Sequence, residues 1–150
     1  MWSLKRDSAY ISDHEPTFRV RYVGCTETSA SNGTGCTIQP LKRIWDNSPS
    51  EKHLLRVVVR LGLAGLTMTN VSNNANQHFP IENVSFCAAD QSVNPRLFCW
   101  IFQNGDALIV HAVLCSTRHK AQAMAAVTAR AFYLAYRDWK AEKQREERKK

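Results

Sequence analysis

The sequence predicts one mainly β domain: about seven antiparallel strands in two sheets, closed at one end by a long C-terminal helix. Three observations predict this fold. Short apolar runs alternate with turn signals between residues 18 and 114, and apolar residues recur at helical spacing from Arg118 onward. The length of 150 residues accommodates one domain with a proper core and is too short for two.

The N-terminal part predicts a strand, a loop and a helix. Residues 18–24 alternate apolar and basic side chains with period two, the pattern of a half-buried strand whose arginines face water. A polar loop is expected from Thr26 to Gly35. A helix capped by Thr37 should follow, because apolar residues recur three and four apart, at Ile38, Leu41, Ile44 and Trp45.

The middle of the chain predicts a hairpin, a loop and a further strand. Residues 54–61 and 66–71 flank Gly62 and Gly65, which predicts an antiparallel hairpin. The asparagine-rich segment 72–78 is expected to be a loop, and residues 81–88 form the next strand.

The last two strands and the C-terminal helix have the clearest signals. Residues 96–102 and 108–114 are apolar on both faces, which indicates interior strands, and Asn104-Gly105 between them predicts a hairpin turn. After Arg118 one helical stripe contains Ala121, Met124, Ala125, Thr128, Phe132, Ala135, Tyr136 and Trp139.

Composition narrows the class of protein. No apolar run approaches the roughly 18 residues of a membrane span, and residues 1–16 lack the apolar core of a secretory signal. We therefore expect a cytoplasmic protein, peripheral at membranes at most. A net charge of +7 is compatible with a nucleic-acid partner. In the C-terminal tail, however, acidic residues are mixed with the basic ones, which is typical of a solvated helix, so no nucleic-acid partner is expected.

No motif of an enzyme, metal site or cofactor site is visible, so a non-enzymatic protein without a cofactor is predicted. The five cysteines are odd in number and scattered, without C-x-x-C spacing, which favours buried thiols. Cys87 and His111 could be imagined as nucleophile and base, but each has apolar neighbours, and a buried thiol and a hydrogen-bonded core histidine fit better.

The strand around residues 83–88 is the most informative segment. If Val84, Phe86 and Ala88 point inward, then Asn83, Ser85 and Cys87 point outward, without the Lys or Pro that usually protects an exposed edge. Such an edge accepts an extended peptide as an added strand. The alternative, an interior strand whose small side chains only pack, stays open at this point.

In the order of its motifs, the chain resembles the phosphotyrosine-binding (PTB, or phosphotyrosine-interaction) domains of the Numb and Disabled adaptors. FRVRYVGC resembles the family's first strand, and FYLAY resembles its terminal helix. VSFCAAD followed by RLFCWIF resembles the family's V/I-S-F/Y-C/I-A-x-D motif and the R-x-F strand after it. The resemblance covers about residues 17–146, with residues 1–16 as an extension and 147–150 as a charged tail. ISDHEPTF and KAQAMA are similar to proteins that contain one such domain and little else.

The resemblance implies a pleckstrin-like (PH-like) sandwich of two nearly orthogonal sheets. It also implies binding of Asn-Pro-x-Tyr (NPxY) or Asn-Pro-x-Phe peptides from cytoplasmic tails of membrane receptors, as in endocytic and signalling adaptors. The peptide would lie between an edge strand and the terminal helix, where Phe132 matches the phenylalanine that packs on it, unless Phe132 is only core. The implied peptide-binding residues are Asn83, Val84, Ser85, Phe86, Cys87, Ala88, Ala125, Thr128, Phe132 and Tyr136.

In phosphate-dependent members of this family, basic residues hold the phosphotyrosine at the hairpin that corresponds to residues 103–107 here. This hairpin reads Gln-Asn-Gly-Asp-Ala, with one acid and no base. Because a phosphate dianion needs charge-assisted donors, we predict binding that does not require phosphorylation.

Two further possibilities remain open. A peripheral membrane module that binds phosphoinositide headgroups is the main alternative, with the candidates Lys42, Arg43, Lys52 and Arg56, whose simpler interpretation is a solvated surface. Self-association through an open sheet edge is the other, although a monomer is expected. Asn94-Pro95 resembles the start of a ligand motif, but Leu97 stands where the ligand's Tyr or Phe belongs, so a turn is predicted.

Overall fold

Seven antiparallel strands and two α-helices account for most of residues 15–149, the part of the chain that the computed structural model describes. The expected N-terminal extension therefore lies outside the described residues except for Glu15 and Pro16. Single 3₁₀ turns occur at Glu51–His53 and Ile81–Asn83. The elements are β1 (Thr17–Thr28), α1 (Ile38–Asp46), β2 (Leu55–Gly62), β3 (Gly65–Asn70), β4 (Asn76–Pro80), β5 (Val84–Ala88), β6 (Leu97–Asn104), β7 (Ala107–Leu114) and α2 (Arg118–Lys149).

The strands form one continuous sheet in the order β4-β3-β2-β1-β7-β6-β5. The long strand β1 joins its two halves, because residues 17–22 pair with β2 and residues 21–28 pair with β7. The register with β7 shifts between Tyr22 and Gly24, where Gly24 has a φ of +152°, a conformation that side chains disfavour. The two predicted sheets are thus two halves of one sheet that share β1.

The sheet folds over so that its distant strands touch. Phe79 of β4 packs edge-on against Trp100 and Phe102 of β6, with ring centroids 5.2 and 5.0 Å apart, and lies 4.8 Å from the ring of His111. Because β4 and β6 lie near opposite ends of the strand order, these contacts require a sandwich. The predicted sandwich with a terminal helix is therefore confirmed.

Each helix covers one apolar surface. Ala121 and Met124 of α2 are fully buried in the inner core between the sheet halves, together with Val59, Leu66 and Phe98. The helix α1 covers the outer face of the sheet instead, where Leu41 and Ile44 join residues of β6 and β7 in a second cluster. No helix among residues 15–149 has the length and apolarity that crossing a membrane requires.

Two predicted loops are partly strands. β1 continues to Thr28, so the predicted loop from Thr26 begins later, and β4 occupies Asn76–Pro80 inside and beyond the predicted loop 72–78. Both extensions are polar, and in β4 only Phe79 is buried. Apolar alternation could not identify them, because they are held by backbone pairing to β7 and β3.

Thr37 does not cap the first helix as predicted. It has a helical backbone conformation and makes no side-chain cap hydrogen bond. Its buried hydroxyl donates instead to the carboxylate of Asp90, beyond the end of β5. This bond ties α1 to the strand that the sequence singled out.

The two predicted hairpins are present, with one shift in position. β2 and β3 pair from Val57–Asn70 to Gly62–Gly65, and β6 and β7 pair as far as Asn104–Ala107, so the two-residue loop is Gly105-Asp106, one residue later than predicted. Asn94 forms a turn, because its side-chain oxygen and its carbonyl accept from the Arg96 and Leu97 N–H groups. The turn interpretation of Asn94-Pro95 is therefore confirmed.

Candidate functional site

The strand β5 lies at one edge of the sheet. It pairs with β6 alone, and within residues 15–149 no other segment hydrogen-bonds to its backbone. The alternative of an interior strand is therefore wrong. The strand is also shorter than predicted, because Ile81–Asn83 form a 3₁₀ turn and the pairing begins at Val84. Asn83 donates from its side chain to the carbonyl of Gln103 at 3.4 Å.

The predicted alternation of side chains along β5 is wrong. The pairing shifts from Val84–Phe102 to Phe86–Ile101, which leaves Ser85 in a bulge. Val84 and Cys87 therefore pack into the inner core, whereas Phe86 packs against the outer cluster under α1. A bulge reverses the faces of the residues that follow it, and period-two patterns contain no sign of it.

Ser85 is the exposed residue of this bulge. Its hydroxyl donates to the carbonyl of Ser31 at 2.8 Å. The β1–α1 connection therefore lies beside the outer edge of β5, held there by a side chain and by no backbone pairing.

The helix α2 runs beside β5. Thr128 of α2 is buried and donates to the Met124 carbonyl at 2.7 Å. Burial raises the pKa of the Cys87 thiol to about 12, although the neighbouring Thr128 hydroxyl opposes the rise, so the thiol is protonated at neutral pH. Ala125 is half-buried on the same stretch of the helix.

Phe132 lies at the mouth of this groove. Its ring packs on the inner core but is only half-buried, and it lines a cavity of about 400 Å³ between α2 and the start of β5. The other residues that line the cavity are Ile81, Glu82, Val84, Ala135, Tyr136 and Trp139. The structure thus places the predicted residues Val84, Phe132 and Tyr136 around one cavity.

Tyr136 and Trp139 lie on the predicted helical stripe but beyond Ala131, the last buried residue of α2. They are 59% and 56% exposed, and their rings stack with centroids 6.0 Å apart. Four residues that line the cavity are not among the predicted peptide-binding residues. Ala135 and Trp139 follow Phe132 by three and seven positions, so helical spacing places them on the same face. For Ile81 and Glu82 the sequence contains no such signal.

The hairpin between β6 and β7 projects past the start of β5, because Val84 pairs with Phe102. Residues 103–107 contain no Lys, Arg or His, and Asp106 is exposed. The amide of Gln103 donates to the Gly105 carbonyl at 3.3 Å. The hairpin residues 103–107 and Glu82 thus contribute only acidic or neutral groups to this end of the groove.

The four predicted lipid-binding residues lie on three elements. Lys42 and Arg43 are on α1, where Lys42 pairs with Asp46 at 3.9 Å and Arg43 donates to the Glu27 carbonyl at 2.9 Å. Lys52 lies in the first 3₁₀ turn and Arg56 on β2, and both are exposed. Arg56 is directly opposite Arg21 of β1.

His111 is a core histidine, as predicted. It donates to or accepts from the Tyr22 hydroxyl at 2.9 Å, and burial lowers its pKa to about 4, so the ring is neutral at pH 7. Its ring stacks on Trp100 with centroids 5.5 Å apart. Among the described residues, no group of three His, Cys, Asp or Glu side chains is arranged to hold a metal ion.

Comparison with known proteins adds a family and relatives. Residues 17–150 match the family model described as phosphotyrosine interaction domain (PTB/PID). The chain is 29% identical to human protein FAM43A over 134 residues (83% of the chain, 31% of FAM43A), and 29% identical to human low density lipoprotein receptor adapter protein 1 over 136 residues (88% and 44%). It therefore spans less than half of either relative.

A solved structure has the same fold. The solution structure of the C-terminal phosphotyrosine interaction domain of mouse APBB2 superposes with a TM-score of 0.69 at 16% sequence identity, covering 79% of this chain and 85% of that one.

Proposed function

Because the chain belongs to the phosphotyrosine interaction domain (PTB/PID) family, we propose that it is an adaptor module that binds Asn-Pro-x-Tyr and Asn-Pro-x-Phe segments in cytoplasmic tails of membrane receptors. The segment upstream of the motif adds to the open edge of β5, antiparallel to it. One observation carries the proposal: this edge lies beside α2, whose Phe132 leaves part of its ring exposed to the cavity.

The size of the edge limits the affinity. Five residues of β5 can exchange only a few backbone hydrogen bonds with a peptide, each contributing about 1 kcal/mol net. Burial of one or two apolar side chains against Phe132 adds a few kcal/mol more. A dissociation constant in the micromolar range, about −8 kcal/mol, fits this sum after the cost of ordering the peptide.

The similar proteins support a receptor tail as the source of the bound peptide. One of the similar proteins is named as an adapter of the low density lipoprotein receptor, and the aligned region covers most of this chain. The match lies in the domain that contains β5 and α2. We therefore infer a receptor tail as the source of the peptide.

Phosphorylation of the ligand should not be required. The hairpin 103–107 has no base, and Asp106 and Glu82 place negative charge at the end of the groove where the motif would turn. A dianionic phosphate would meet like charge there in place of the cationic donors that it needs.

Calorimetric titration of a receptor-tail peptide with and without tyrosine phosphate tests both parts. We expect Phe132→Ala to weaken binding of the plain peptide about tenfold or more, because it removes the aromatic wall of the groove. Tyr133→Ala is the matched control, since Tyr133 is the next residue, is 64% exposed and does not line the cavity. Equal losses for both variants would contradict the groove. Tenfold tighter binding of the phosphorylated peptide would contradict independence from phosphate.

We propose phosphoinositide binding as a second candidate function, and one observation favours it. Arg21 and Arg56 face each other on neighbouring strands, a like-charge pair that an anion would stabilise, and Lys52 precedes Arg56 closely in sequence. Sedimentation with phosphoinositide vesicles should therefore decrease more for Lys52→Glu with Arg56→Glu than for Lys42→Glu with Arg43→Glu. Unchanged sedimentation of both double variants would contradict lipid binding through these residues.

A further inference from the structure

The cavity beside Phe132 contains one charged group among apolar walls. Of its seven lining residues only Glu82 is an acidic or basic residue, and the others are aliphatic or aromatic. Within residues 15–149, no Lys, Arg or His side chain forms an ion pair with Glu82. The carboxylate is therefore available to a ligand that enters the cavity.

The wall opposite Glu82 is formed by α2 and carries the exposed Tyr136–Trp139 stack. Lys143 places its ammonium 5.6 Å from the centroid of the Trp139 ring, which shows that this aromatic surface accepts a cation. Tyr136 and Trp139 are both more than half exposed and stack on each other, so they form a contiguous aromatic surface of the kind that marks interaction sites. The wall thus has affinity for both apolar surface and positive charge.

We propose that this cavity binds a long basic side chain, Lys or Arg, that follows the aromatic residue of the motif in the bound peptide. The proposal rests on the proposed function. A peptide that pairs antiparallel to β5 runs toward Val84, which lines the cavity, so the residues that follow its added strand reach the cavity. The methylene stem lies on the apolar wall while the charged head meets Glu82 and the aromatic faces.

Charge decides between possible occupants. A purely apolar side chain would fill the cavity but would leave the Glu82 carboxylate partly desolvated without a partner, which is unfavourable. An acidic side chain would be repelled. A basic side chain alone satisfies both the apolar wall and the carboxylate.

Three matched peptides test the proposal by calorimetry. They share one Asn-Pro-x-Tyr sequence and carry Lys, Gln or Glu at the first position after Tyr, with a second set changed at the second position. At one of the two positions we expect the Lys peptide to bind about fivefold more tightly than the Gln peptide, and the Glu peptide to bind more weakly than both. Glu82→Gln should abolish the charge preference, Glu82→Lys should reverse it, and Trp139→Ala should reduce it.

Exposed residues make suitable variants, because their substitution leaves the core intact. Glu27→Gln is the matched control, since Glu27 is an exposed carboxylate on β1 that does not line the cavity, and the preference for Lys should survive it. If wild type binds all three peptides equally at both positions, or if Glu82→Lys keeps the original order, the proposal is wrong. If no peptide binds and Phe132→Ala changes nothing, the proposed function itself fails, and the basic-residue preference with it.

Discussion

Replacement of Thr37 by Val tests the bond that joins α1 to the end of β5. The substitution keeps the shape of the buried side chain and removes the hydroxyl that donates to Asp90. A hydrogen bond to a charged group contributes about 1.5–3 kcal/mol, but Asp90 is only half-buried and keeps its bonds from the Ser92 hydroxyl and N–H, so we expect a loss near 1 kcal/mol. This corresponds to a decrease of about 3 °C in Tm for a domain of this size.

The pH dependence identifies the partner of Thr37. Burial alone would raise the pKa of the Asp90 carboxyl, but the hydrogen bonds from Ser92 and Thr37 together hold it below its ordinary value. A lowered pKa in the folded state stabilises the protein above the unfolded value, which lies near 3.8, and this contribution is lost as the pH falls through the folded value. The difference between wild type and Thr37→Val should therefore be constant from about pH 7 to pH 5 and shrink below about pH 4.

Urea denaturation at pH 7, 5 and 3 measures this difference. In an Asp90→Asn background, Thr37→Val should cost much less than in wild type, because the charged acceptor is already absent. Thr37→Ser keeps the hydroxyl and should stay close to wild type. A cost that is the same at all three pH values, and the same in the Asp90→Asn background as in wild type, would refute this reasoning and restore the helix-capping role that the sequence suggested.

Two further predictions concern the stability of the fold, at Gly65 and at His111. Gly65→Ala should destabilise the protein by several kcal/mol in thermal denaturation, because Gly65 has a φ of +132° and an added Cβ would clash with the Phe79 carbonyl oxygen. Gly33→Ala is the control and should cost about 1 kcal/mol, because an added Cβ there has no atom within 4 Å. Similar costs for the two variants would contradict the clash. Burial lowers the pKa of His111 to about 4, so the protein should lose up to about 3 kcal/mol of stability as the pH falls from 6.5 to 4. In a plot of the urea midpoint against pH, His111→Gln should flatten this part of the curve. An unchanged slope would contradict a neutral buried ring.

Most elements could be predicted from the sequence because their apolar residues follow one period. The hairpin β2–β3 and the C-terminal helix are of this kind, since their buried side chains face the inner core. The strands β6 and β7 could be predicted as continuous apolar runs instead, because their side chains enter both the inner and the outer cluster. β4 could not be predicted because its pairing residues Asn76, Gln77 and His78 are polar and exposed. Its position is fixed by the backbone of β3 and by one buried ring, Phe79.

The candidate site was predictable in outline and not in detail. The small residues of β5 and the phenylalanine on α2 indicated an edge strand beside a helix. The bulge at Ser85, which reverses Phe86 and Cys87, depends on a register that only the pairing with β6 fixes. Likewise, Thr37 satisfies the general preference for a cap, and only the fold brings Asp90, which is 53 residues away, to its hydroxyl.

The long helix α2 is anchored to the sheet along only part of its length. Its last buried residue is Ala131, and residues 136–148 are exposed throughout. Amide protons around Met124 should therefore exchange with solvent only on global unfolding, whereas those beyond Trp139 should exchange through local fraying. The turn that contains Phe132, Tyr136 and Trp139 lies at the boundary between these two regimes, so a bound ligand would extend the slowly exchanging part of the helix toward its C-terminus. Helix order and ligand affinity are then thermodynamically linked, and substitutions that lower helix propensity between residues 140 and 148 should weaken binding without touching the ligand.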